Sequence, residues 1–156
     1  MTSYDQHTVS GVAWHVIGQP EEGIRYEDGF GCLKTFVTWI LEQKCTTFIA
    51  HNGKGYDFIL LAAELERQGG YNVQKNKAGT KVMRMTYKTL IFIDSLNHFA
   101  GSPLAKLPKT FGLDVHIRKG YFPYLQPFGD YVGELPPASF FCYEGWADVK
   151  QHEFLA

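Results

Sequence analysis

The stretch Thr46–Leu61, TTFIAHNGKGYDFILL, constrains the fold of this chain more than any other. Thr46–Ala50 (TTFIA) is a short β-branched and apolar run, which predicts a buried strand. Phe58–Leu65 is apolar nearly all round and rich in Leu and Ala, which predicts a core-packed helix stopped by Gly69 and Gly70. Only a polar, glycine-containing turn from His51 to Asp57 separates the two. Strands interleaved with helices in this way point to an α/β fold. The turn then falls at the mouth of the sheet, where open α/β folds bind their ligands.

The remaining segments extend the same pattern. Val9–Ile17 alternates loosely and predicts a strand ending at Gly18 and Pro20. Leu33, Phe36, Val37, Ile40 and Leu41 recur at i, i+3, i+4, i+7 and i+8, one apolar face of an amphipathic helix. Tyr71–Thr80 is polar with glycine and predicts a loop, after which KVMRMTY and TLIFI, split at Lys88, predict a hairpin. Ser102-Pro103 is a helix start of the N-cap-then-proline kind, with Leu104, Leu107 and Phe111 as its buried stripe and Gly112 closing it. From Gly120 the chain is rich in proline and aromatics, with little periodicity until Trp146–Phe154, which reads as the opening of a helix.

A length of 156 residues is one domain's worth of sequence. With 45 % apolar and 15 % aromatic residues it is not a disordered tail. No apolar run approaches the ~18–20 residues needed to cross a bilayer, and the N-terminus MTSYDQHTVSG has no basic-then-apolar signal pattern. Cys32, Cys45 and Cys142 fit neither a disulfide framework nor a zinc-ligand spacing, which favours a reducing, intracellular compartment. The net charge of −1 hides a split: Arg67–Lys119 holds ten basic and two acidic residues, and the rest of the chain five basic and fourteen acidic. A basic middle with acidic flanks suits a surface that meets phosphate, although a lysine-solvated loop and hairpin give the same pattern.

Within the corner, Asp57 stands near a helix N-terminus, where it is either a plain cap or a carboxylate presented to a metal. Asn52 offers both a donor and an acceptor for a nucleotide, and Gly53 and Gly55 let a backbone approach closely. Gly-Lys-Gly is no Walker A sequence, since the G-x-x-x-x-G-K-[ST] spacing is absent.

Four segments in one order carry a resemblance beyond this chemistry. AHNGKGYDF (Ala50–Phe58) resembles the second exonuclease motif of protein-primed family-B DNA polymerases, an Asn followed shortly by Tyr/Phe-Asp. IDSLNHFAGSPLAKLPKTFGL (Ile93–Leu113), RKGYFPYL (Arg118–Leu125) and YVGELPPASFF (Tyr131–Phe141) are similar to the same family, most of all to its organellar, viral and Maverick-transposon branch. The resemblance covers most of residues 35–156. It implies a ribonuclease-H-like α/β domain from a DNA-directed DNA polymerase, acting as a proofreading 3′–5′ exonuclease on single-stranded DNA 3′ ends. It also implies Mg²⁺ or Mn²⁺ as cofactor and, for the parent enzyme, a terminal protein as primer.

Carried over by residue, Asp57 matches the carboxylate that helps to hold the catalytic metals. Asn52 and Tyr56, with His51 beside them, match positions that grip the frayed 3′ end. Ser95 and Leu96 match a pair that contacts single-stranded DNA. Lys119, with Phe122 three residues on, matches a lysine-x-x-hydrophobic motif whose ammonium supports hydrolysis electrostatically. Without the resemblance, Lys119 reads as a surface lysine, Ser95 as a turn residue and Leu96 as core.

The family reaction uses two metal ions held by several carboxylates. Its first motif, Asp-x-Glu, is expected ahead of Val9–Ile17, where YDQH (Tyr4–His7) is no substitute. Its third motif, Tyr-x-x-x-Asp, is expected beyond the last helix; Asp148 follows Glu144 by four residues, which is not that pattern. The expectation is therefore a partial exonuclease domain over residues 1–156, truncated at both ends, without polymerase sequence and inactive in hydrolysis by itself. The alternatives are a non-catalytic single-stranded-DNA-binding module and an inactive remnant of a transposon or virus.

Overall fold

The computed structural model describes residues 9–99, 101–113 and 136–148. The chain forms two compact units, one up to Leu107 and one from Pro108 onward.

In the first unit, β1 (Gly11–His15) pairs antiparallel with β2 (Ile24–Asp28) as a two-stranded sheet. The IRYED sequence of β2 gives little strand signal; its pairing with β1 decides it. Gly11 lies beneath the Tyr26 ring, and a β-carbon there would come within 2.8 Å of the Tyr26 hydroxyl. α1 (Cys32–Glu42) follows, as its apolar spacing predicts, and buries Cys32, Val37 and Ile40. β3 (Thr47–Ala50), α2 (Asp57–Gly69), β4 (Gln74–Ala78), β5 (Lys81–Tyr87) and β6 (Leu90–Asp94) complete the unit's regular elements.

The second sheet has the order β3-β6-β5-β4, with β3 parallel to β6 and the other pairs antiparallel. One core joins Val37 and Ile40 of α1, Phe58, Leu61, Ala62 and Leu65 of α2, and Val82, Met85, Tyr87, Leu90 and Phe92 of the sheet. The architecture is mixed α/β. An aromatic ladder ties the two sheets together through α1. Trp14 packs on Phe36 and Trp39, at 4.9 and 5.2 Å between ring centroids. Trp39 meets Phe48 edge-on at 6.1 Å, and Phe48 stacks on Phe92 at 4.8 Å.

Several expectations need correction. Thr46–Ala50 is not a buried strand: β3 lies at a sheet edge, and although Phe48 faces the core, Ile49 is 57 % exposed. The Phe58–Leu65 helix is core-packed on one side only, since Ile59 is 49 % exposed. Tyr71–Thr80 is not a loop, because Gln74–Ala78 pairs along β5 despite its polar side chains. Main-chain pairing rather than side-chain burial makes this strand, every residue of which is exposed. Its lysines and the irregularity at Asn76/Lys77 are usual devices of an edge strand. The predicted stripe of Leu104, Leu107 and Phe111 is not a buried face: Leu104 and Phe111 are exposed, on a 3₁₀ turn and at the end of a one-turn helix, Leu107–Thr110. The β5–β6 hairpin forms where expected, turning at Lys88 and Thr89.

In the second unit, the Leu113 N–H closes on the Pro108 carbonyl at 2.8 Å, with Gly112 in the left-handed region. Two 3₁₀ turns, Ala138–Phe141 and Tyr143–Gly145, follow one another across Cys142, and Phe141 is buried.

Candidate functional site

β3 and β6 run parallel with Ala50 opposite Asp94, so both strands end at the same level. The segments that leave them, His51–Tyr56 and Ser95–Phe99, therefore emerge together from one end of the sheet. Asp94 joins them. It is fully buried, and its carboxylate accepts three main-chain N–H groups. Oδ1 takes those of Asn52 at 2.9 Å and Leu96 at 2.8 Å, and Oδ2 takes that of Lys54 at 2.8 Å. Burial alone would raise its pKa. The N–H groups of Lys54, Leu96 and Asn52, with the Lys54 charge, outweigh burial and hold it below the usual aspartate value.

This grip imposes the local backbone. Asn52 adopts φ 68°, a left-handed conformation that asparagine tolerates better than most residues. Gly53 is buried, and a β-carbon there would stand 3.0 Å from both the Ala50 β-carbon and the Phe58 ring. Gly53–Gly55 forms a 3₁₀ turn that delivers Tyr56 and Asp57 to the start of α2. The Lys54 ammonium donates to Asn97 Oδ1 at 2.7 Å, and Asn97 Nδ2 donates to the Met83 carbonyl at 2.9 Å.

His51, Asn52, Tyr56, Asp57, Ser95 and Leu96 thus belong to one corner, whereas Lys119 and Phe122 lie outside the described residues. Asp57 is exposed at the first residue of α2. Its carboxyl is raised above the ordinary value, by loss of solvent on its crowded side first and by the Asp94 charge second. Asn52 and Tyr56 are exposed as well. His51 is half-buried and both ring nitrogens are engaged, Nε2 with the Ser102 carbonyl at 3.0 Å and Nδ1 with Ser95 Oγ at 2.9 Å. A carbonyl only accepts, so Nε2 carries the proton. Ser95 Oγ also lies 3.2 Å from the Ala50 carbonyl, to which it can donate. His51 and Ser95 therefore brace the corner, while Asn52, Tyr56 and Asp57 face solvent.

Asp94 is the residue that sequence reasoning missed. A strand-ending Asp before Ser-Leu has the pattern of a cap over a following turn, and that was the available signal. Metal chemistry finds a poor fit among the described residues. No group of three or more His, Cys, Asp or Glu side chains converges there, and both Asp94 oxygens are already committed to N–H donors. Asp57 is left as a lone carboxylate, a weak holder of Mg²⁺. No family model, curated protein or solved structure matches this chain.

Proposed function

We propose that the corner is one wall of a cleft for a single-stranded DNA 3′ end, in the proofreading exonuclease region of a protein-primed, family-B DNA-directed DNA polymerase. The observation that supports this most is the Asp94 carboxylate bound to the N–H groups of Asn52 and Lys54. It brings together two segments, around Asn52 and around Ser95, that are more than forty residues apart in sequence. The resemblance assigns both to the same strand of DNA. A mixed sheet in which β3 and β6 end side by side is compatible with a ribonuclease-H-like domain.

In this reading Asn52 hydrogen-bonds the terminal nucleotide and Tyr56 stacks on a base. His51 and Ser95 hold the two loops in register. Asp57 supplies one carboxylate toward the Mg²⁺ or Mn²⁺ of the parent enzyme. Because the described residues do not compose a two-metal site, no hydrolytic step is assigned to them. Any terminal-protein primer would belong to the parent polymerase.

Filter binding of a single-stranded oligonucleotide to the full chain at two salt concentrations tests the proposal. Binding that weakens with salt, and further with Asn52→Ala, is the expected result. Absent or salt-independent binding refutes it.

A further inference from the structure

The two outer strands of the four-stranded sheet are finished differently. β4 carries Lys75 and Lys77 and an irregular register, features that discourage a further strand. β3 (TFIA) has no charged residue, no proline and no irregularity. The Ile91 N–H donates to the Thr46 carbonyl at 3.0 Å, which sets the phase of the parallel ladder: the bonding main-chain groups of Thr46, Phe48 and Ala50 turn to β6. The N–H and C=O groups of Thr47 and Ile49 therefore point the other way. None of these four groups has a hydrogen-bond partner among the described residues. Both residues are exposed.

Aromatic rings lie beside this edge. Trp39 of α1 meets Phe48 at 6.1 Å and Trp14 of β1 at 5.2 Å. Among the described residues β1 pairs with β2 alone, so the Trp39 ring touches β1 and β3 while no main-chain bond joins them. Trp39 and Phe48 are only half-buried. The Trp14 indole N–H is buried with no acceptor among the described residues.

We infer that the free edge of β3 is a docking site for one extended strand of a second polypeptide, uncharged and with apolar side chains on the face turned to Trp39 and Phe48. The inference is independent of what the corner holds. Three observations select this occupant. The outward N–H and C=O groups of Thr47 and Ile49 recur at every second residue, the repeat of a strand's own main-chain groups. With no charge on β3 and rings beside it, a charged strand would lose solvent there without a counter-charge. A lone strand needs only about 4.8 Å beside β3. A second copy would bring β6 and β5 behind its own β3, on the side where the β1–β2 hairpin shares the Trp39 ring.

The test adds a capped, uncharged peptide of alternating valine and threonine, about six residues long, to the full chain and follows amide hydrogen exchange residue by residue. Slowed exchange at Thr47 and Ile49 is expected, with β4 unaffected. The same peptide N-methylated at every amide has no donors to give and is expected to protect neither residue. Ile49→Pro removes an N–H that faces away from β6, so it spares the ladder within the sheet and is expected to abolish peptide binding. Ile49→Lys places a charge on the same edge and is expected to weaken binding several-fold; it decides the matter if the proline variant fails to fold. Exchange at Thr47 and Ile49 that the peptide leaves unchanged overturns the inference. Equal protection by the N-methylated peptide, or binding that survives both variants, overturns it as well. If the two amides are instead protected in the chain alone, in step with a dimer seen by sedimentation, the edge belongs to a second copy and the inference falls.

Discussion

Replacing Asp94 by Asn puts the organisation of the corner to a direct test. The substitution keeps size and one oxygen but removes the charge, and it sets an NH₂ group against one of three N–H donors. If the amide oxygen keeps Asn52 and Leu96, its nitrogen faces the Lys54 N–H, donor against donor. A hydrogen bond to a charged acceptor contributes ~1.5–3 kcal/mol, against ~0.5–1.5 for a neutral one, so each retained bond weakens by about 1 kcal/mol and the third is lost outright. Relief from burying a charge offsets part of this. We expect Asp94→Asn to lower unfolding stability by about 2–4 kcal/mol at neutral pH, read as a shift in urea midpoint at constant slope. The pH dependence carries an independent signature. Asp94 is held below its ordinary value of about 3.9. Its contribution is therefore complete above that value and is lost as pH falls through the lower, folded-state value. The gap between wild type and variant should accordingly narrow in acid. A variant within about 0.5 kcal/mol of wild type at neutral pH, well under the cost of a buried unpaired donor, would refute the reasoning, as would a gap independent of pH.

Asp57 has the opposite sign. Its carboxyl is raised in the folded state, so charging it costs stability as pH rises from below its ordinary value through the raised one. Asp57→Asn should leave neutral-pH stability unchanged or up by no more than about 0.5 kcal/mol after solvent screening, and a clear loss in urea titration would show an unrecognised structural bond. A β-carbon on Gly69 would stand 1.8 Å from the Tyr87 hydroxyl, so Gly69→Ala should cost ~1–3 kcal/mol despite the better helix former. Tyr87→Phe should itself be neutral or stabilising in thermal unfolding, because its buried hydroxyl has no hydrogen-bond partner among the described residues, and it should recover part of the Gly69→Ala loss. Gly53→Ala crowds Phe58 and Ala50 at 3.0 Å and should cost about 1 kcal/mol while weakening oligonucleotide binding; unchanged binding would detach that turn from the site.

The elements marked by side-chain periodicity were legible in the sequence. α1, α2 and the β5–β6 hairpin fall where their apolar residues recur. The polar strand β4 and the charged β2 were not, because main-chain pairing makes them and leaves no mark on composition. Ile49 and Ile59 looked like core residues since a run of apolar letters does not say which side of a strand or helix meets solvent. At the corner, Asn52, Tyr56 and Asp57 were readable as polar groups on a short turn. Asp94 was not, because its role depends on two strands ending at the same level, a tertiary fact. The resemblance grouped Ser95 with Asn52; their shared bracing by Asp94 and His51 required coordinates.

All three bonds to Asp94 reach the main chain, and none reaches the side chain of Asn52, Lys54 or Leu96. The shape of the turn is thereby separated from the identity of the groups it displays. Substitutions at 54 and 56 change the groups on display and leave these three bonds in place, whereas position 52 must also accept φ 68°, which asparagine does better than most residues. Such a turn is a natural place to vary the side chains a surface displays, by drift or by a focused library.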